Sequence, residues 1–324
     1  MDRKDTAWGS ALEPTDILDI SRKKKAGRDF VALNFSKNIM LQPDDSTSQK
    51  RTEELSVNKN SEVSVSIDVV IIVAVADEKK GVYSAFNLDP SVSASKKFDM
   101  LDEYRFDYIQ FKENDLNIAL LIQPSMGMTQ AASMTTRVVL ALHPKLVAMV
   151  GVCAGCQDSV HLGDIIIASD VYDYTAGKHY IDRFGPRPQG CSIDNAFAGY
   201  INGFVIDNQT LIGQILDGKP DAPTDHKVAI HFKPIASGTA IVNDPEIVAE
   251  LKARQDNLAG IDMEAYALAV SCNILRTRWI VIKGVQDHAD GDKEKAEKGY
   301  RGFAAYSSAK LLQLMLKEDL PRYF

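Results

Sequence analysis

Cysteine is scarce in this chain: four residues, at positions 153, 156, 191 and 272, in a total of 324. That is too few for a disulfide framework and suits a reducing compartment. Also missing is any apolar run approaching the roughly 18 residues that cross a bilayer, and the opening MDRKDTAWGS lacks the apolar core of a signal peptide. A cytoplasmic protein with no membrane partner is therefore expected. An excess of positive charge is absent too, since the net charge is -7 and the pI is near 5.4. Nothing in that balance draws the chain to nucleic acid. What is present, 45% hydrophobic and 25% charged residues, is the composition of a globular protein long enough to bury a full core.

The composition breaks near residue 63. Residues 1–62 are charge-rich, with RKKKAGR at 22–28 and a polar stretch from Gln42 to Glu62, and they read as an N-terminal extension and linker. From Val63 onward, apolar strands alternate with helices. VSVSIDVVIIVAVA, DYIQFKE, NIALLIQP, KLVAMVG, DIIIASDVYDY, HKVAIHFKPIASG and RWIVIKGVQD read as strands. SMGMTQAASMTTRVVLAL, GIDMEAYALAVSCNIL and FAAYSSAKLLQLML read as helices. The alternation predicts an α/β domain over 63–324 with a mixed central sheet, in which ligands sit beyond the strand ends.

Several residues at such places ask for an explanation. Glu264 stands among Met263, Ala265 and Tyr266 in a largely apolar helix, where a carboxylate needs solvent, a helix N-terminus or a ligand. Asp287 ends the last strand and opens DHADGD, which reads either as a solvated loop or as an acid placed for chemistry; its D-x-x-D-x-D spacing lacks the remaining ligands of a calcium loop. Glu78 lies in a DEKK stretch after the first strand, where an exposed charge is the plain reading. Cys153 and Cys156 form C-A-G-C, yet the pair follows a strand instead of opening a helix, as redox pairs do.

Taken in order, AVADE, SMGMTQAA, MVGVCAGC with LGDIIIASD, SGTAIV, IDMEAYA and VIKGVQDHAD resemble the purine nucleoside phosphorylase and nucleosidase superfamily, most closely its methylthioadenosine/S-adenosylhomocysteine nucleosidase branch. The resemblance implies a three-layer α/β/α, phosphorylase/hydrolase-like fold. It also implies hydrolysis of a purine N-glycosidic bond without cofactor or metal, in a homo-oligomer, most simply a dimer. Glu264 then corresponds to the carboxylate that accepts hydrogen bonds from the ribose hydroxyls, with Met263 against the sugar. Asp287 corresponds to the acid that protonates N7 of the departing base. Glu78 corresponds to the residue that deprotonates the attacking water. Val242 falls where main chain meets the base and Ile241 where an aromatic often stacks. Lys283 replaces an arginine near the water, Val152 the serine of the strand-end loop next to Cys153, and Gln286 the serine before the catalytic acid.

Alternatives remain open from the sequence. A phosphate-dependent phosphorylase needs cations for its anion, and Met149 stands where such enzymes carry an arginine. A nucleotide sensor without turnover would pass its signal to a protein partner through residues 1–62. The 5′ group of the substrate is also open: Tyr300 and Phe303 suit an apolar group, and Lys293, Lys295, Lys298 and Arg301 suit a phosphate.

Overall fold

Five consecutive β-branched residues, Val69–Val73 (β1), are all buried, as a strand covered on both faces must be. The computed structural model describes residues 66–89, 95–96, 106–207, 211–217, 228–291 and 293–324, with 95–96 and 293–298 described by their backbone only. The segment 1–62 lies outside the described residues.

After β1, the helix Ala76–Ala85 (α1) leads to strands Ser95–Lys96 (β2), Phe106–Phe111 (β3) and Leu116–Ile122 (β4), then to the helix Met128–Leu142 (α2), which stops at His143 in a left-handed conformation. The long strand Leu146–Gly155 (β5) precedes Ile165–Asp173 (β6), the hairpin Gly177–His179 (β7) and Phe184–Pro186 (β8), and Gln189–Ser192 (β9). Helices Asn195–Asp207 (α3) and Leu211–Asp217 (α4), strand Ile230–Ser237 (β10) and helix Pro245–Arg254 (α5) follow. The chain ends with Gly260–Asp262 (β11), Ala265–Ile274 (α6), Arg278–Asp287 (β12), Lys293–Lys317 (α7) and a short 3-10 turn, Leu320–Tyr323.

Ten strands make one mixed sheet in the order β11, β10, β6, β12, β5, β1, β4, β3, β2, with β9 beside β6. The sheet also closes on itself. β5 pairs with β12, β12 with β6, β6 with β10 and β10 with β11, and β11 returns to β5 through the antiparallel rungs Gly260↔Gly155 and Ile261↔Ala154. Five strands thus form a ring, and their ends converge. Helix α7 packs on α1, β12 and β5, whereas α2 and α6 pack on each other and α6 on β12 and β10, so helices cover the sheet as a layered α/β fold requires.

The structure differs from the sequence reading around Asp262 and at the C-A-G-C stretch. GID at 260–262 is an edge-closing strand, and the helix begins at Ala265, because Asp262 turns its carboxylate onto the Ala265 N–H and starts the helix from outside. The CAG of the C-A-G-C stretch is still strand, paired with β12 and β11, not loop.

Candidate active site

The convergent strand ends enclose a cavity of about 480 Å³, lined by Glu78, Met126, Val152, Cys153, Ile241, Val242, Asn243, Asp262, Met263, Glu264, Gln286 and Arg301 among others. Glu78 is only 3% exposed. It sits in the first turn of α1 and reaches back, so that Oε2 accepts from the N–H of Ala74 at 2.7 Å and of Val75 at 3.2 Å. Oε1 accepts from Val152 N–H at 2.9 Å. Gly151 makes this approach feasible, since a Cβ there would lie 2.0 Å from Oε1. Each carboxylate oxygen accepts two hydrogen bonds, so Oε1, with one main-chain donor, keeps one acceptor position.

Glu264 immediately precedes α6 and is 5% exposed. Its Oε1 accepts from Gly127 N–H at 2.7 Å, and its Oε2 lies 3.9 Å from Lys283 Nζ. Burial pushes its carboxyl up to about 7, against the pull of the Lys283 ammonium. Lys283 is itself 1% exposed and pairs more closely with Asp262, at 3.2 Å. Burial favours loss of its proton, but Asp262, Glu78 and Glu264 together hold its pKa above the ordinary lysine value. Lys283 therefore stands behind the cavity wall among three carboxylates.

On the base side, Asp287 is fully buried at the end of β12. Its Oδ1 accepts from Ala289 N–H at 2.9 Å and its Oδ2 from the Gln286 amide at 3.0 Å. It lies behind Gln286, which lines the cavity where Asp287 does not. Val242 is buried and Ile241 is 58% exposed at the cavity edge. His288 bonds through Nδ1 to the Gly155 carbonyl at 3.0 Å, tying the ends of β12 and β5 together. Tyr300 is half-buried outside the lining, and Phe303 belongs to the core. The side chains of Lys293, Lys295 and Lys298 lie outside the described residues, whereas Arg301 lines the cavity and pairs with Asp77 at 3.2 Å.

The structure thus gathers Glu78, Val152, Cys153, Ile241, Val242, Met263 and Glu264 around one cavity, with Lys283 and Asp287 immediately behind it and Tyr300 aside. Asp262 joins the cavity although nothing in its sequence surroundings marks it; the one signal is Lys283, a lysine within an otherwise apolar strand that needs a buried acid as partner. All four cysteines are free and buried. Burial raises Cys153 well above the ordinary thiol range and Cys156 to about 11, the reverse of an activated redox pair. Among the described residues no group of three His, Cys, Asp or Glu is placed to hold a metal ion, and no helix is long and apolar enough to cross a membrane.

The phosphorylase superfamily model matches residues 68–318, and the chain belongs to that superfamily. Among similar proteins is an uncharacterised protein of Sinorhizobium fredii, 31% identical over 210 residues, which are 63% of this chain and 50% of that one. The chain therefore spans half the length of that relative. A 5′-methylthioadenosine/S-adenosylhomocysteine nucleosidase of Bacillus subtilis is 25% identical over 202 residues, 61% of this chain and 80% of that one. The fold is similar to the crystal structure of the corresponding nucleosidase from Neisseria meningitidis in complex with methylthio-immucillin-A, with a TM-score of 0.59, 19% identity, and coverage of 77% of this chain and 98% of that one.

Proposed function

We propose that this protein is a purine nucleosidase, acting on adenine nucleosides, that hydrolyses the N-glycosidic bond with water. The observation that carries this reading is the Glu78 carboxylate, fixed at the cavity by three main-chain N–H donors with one acceptor position left over. In that position a water donates one proton to Glu78 while its oxygen forms the new bond to the ribose C1′. The C1′–N9 bond breaks, its electron pair passes into the purine, and N7 takes a proton by way of Asp287. Glu264 accepts from the ribose hydroxyls and Met263 packs against the sugar, while Val242 and Ile241 lie at the base. The carboxylate at the water position supports hydrolysis over phosphorolysis, because an anionic substrate would meet Glu78 at close range. Among the described residues Arg301 is the one cation lining the cavity; it pairs with Asp77, which Lys80 also contacts at 3.0 Å, so the 5′ group is left open between an apolar group and a phosphate.

A homodimer in the cytoplasm belongs to the same proposal. The exposed Tyr180, Ile181 and Phe184 of the β7–β8 hairpin give the surface an apolar tip of the kind a second copy covers. So does the division of the chain into an extension, 1–62, and a catalytic domain, 63–324.

Chromatography of a reaction in phosphate-free buffer tests the chemistry. Adenine and free sugar are expected, added phosphate leaves the rate unchanged, and Glu78→Gln is nearly inactive because an amide cannot take the proton from water. Strict dependence on phosphate with a sugar 1-phosphate as product overturns the reading in favour of a phosphorylase. Absence of base release from any purine nucleoside favours a sensor.

A further inference from the structure

Asp262 lines the cavity without a role in the chemistry above, yet it is one of the most tightly held side chains there. Ser237, at the end of β10, donates its hydroxyl to Oδ1 at 2.6 Å, and the Ala265 N–H at the start of α6 donates to Oδ2 at 3.0 Å. The same Ser237 oxygen accepts from Tyr266 N–H at 3.0 Å, so the clamp joins a strand end to a helix start. Asp262 is 6% exposed and Lys283 1% exposed, and their 3.2 Å contact is shorter than the 3.9 Å from Lys283 to Glu264. The cation nearest the ribose carboxylate is thus held mainly by another acid.

We propose that Asp262 is a positioning residue: by fixing the Lys283 ammonium between itself and Glu264, it sets how strongly that ammonium supports the charged form of the ribose-binding carboxylate. The inference rests on the assignment of Glu264 to the sugar. The charged and polar groups facing Glu264 are Lys283 from β12, Asp262 from β11, Glu78 from α1, and the Gly127 N–H ahead of α2. Two of the three charges are negative. Burial and these two acids raise Glu264 to about 7, and Lys283 opposes them. The ionised form accepts from the two hydroxyls more strongly than the protonated one, so sugar binding strengthens as pH rises through that region. Neutralising Asp262 removes one repelling charge and frees Lys283 for Glu264, which lowers the pH at which binding sets in. Removing the lysine charge does the opposite.

The probe is an adenosine C-nucleoside analogue, whose carbon–carbon glycosidic bond resists hydrolysis, bound to the full chain by calorimetry between pH 5 and 9. In the unmodified protein the affinity should climb across neutral pH. Asp262→Asn should move that midpoint down and Lys283→Met should move it up, each by about one pH unit or more, the usual effect of one charge within a few ångströms. Lys283→Arg keeps the charge and should restore the midpoint, which a merely structural role would not do. A midpoint common to all four proteins, or one that rises in Asp262→Asn, overturns the proposal. Should Asp262→Asn not fold, the Lys283→Met and Lys283→Arg pair still decides it. An NMR titration of the Glu264 side-chain carboxyl carbon, assigned by its loss in Glu264→Gln, reads the same shifts without ligand. Failure of every nucleoside to bind would then count against the sugar assignment, and unmoved titrations against the positioning pair.

Discussion

At the scale of single residues, a short sequence pattern hides or reveals a charge according to what its neighbours do in space. Asp287 is fixed by a main-chain N–H on one oxygen and the Gln286 amide on the other. Asp287→Asn keeps the shape but cannot deliver a proton, so turnover should fall on the order of 10²-fold or more while binding of the C-nucleoside analogue changes little. Near-normal turnover in that variant would remove Asp287 from the chemistry. Asp287 was legible because it closes a recognisable strand, and Glu264 because a carboxylate in an apolar helix needs a reason. Glu78 was legible only through the family pattern: DEKK reads as a surface turn, and nothing in it says that the second acid folds back onto the end of β1. The partnership of Asp262 with Lys283 was hidden, since it joins two strands that are not neighbours in the sheet path and are separated in sequence by α6.

At the scale of elements, the strands were legible from their apolar runs, and their boundaries less so. The stretch 63–76 reads as one long strand, but β1 spans only Val69–Val73, because the chain must turn into α1 early enough to place Glu78 at the cavity. Helix α7 holds the other side of that arrangement. It approaches β12 so closely that a Cβ on Gly284 would lie 2.3 Å from the Ala304 carbonyl oxygen, and one on Gly81 of α1 would lie 2.6 Å from Ala305 main chain. Gly284→Ala should therefore push α7 off β12 and cost roughly 1–3 kcal/mol, the range for overpacking. Gly199→Ala, at an exposed position of α3 with nothing within 4 Å of the added Cβ, should instead be neutral or stabilising by up to about 1 kcal/mol. Urea denaturation of the two variants reads the opposite signs, and equal midpoints would show that α7 is free to shift.

At the scale of the whole molecule, every motif assigned a role lies beyond the composition break, and the family match begins at residue 68. Deleting residues 1–62 should therefore leave a folded domain that still releases base, measured as turnover per mole of soluble protein. Loss of activity in a soluble, folded product would make the extension part of the site or of its assembly. The ring of strands was not legible at all, because the short β11 looks like a helix start and its closing rungs to β5 join residues far apart along the chain. That closure has a kinetic meaning. Pairings between distant segments form late, after the local helices and neighbouring strands are in place. The two rungs that seal β11 to β5 stand next to Asp262, which contacts Lys283, so this wall of the cavity is completed when the ring shuts. On refolding from urea, the far-ultraviolet signal should recover in an earlier phase than nucleoside binding, and a seam weakened at Ile261 should lengthen that delay; simultaneous recovery of both signals would place closure of the ring among the first events.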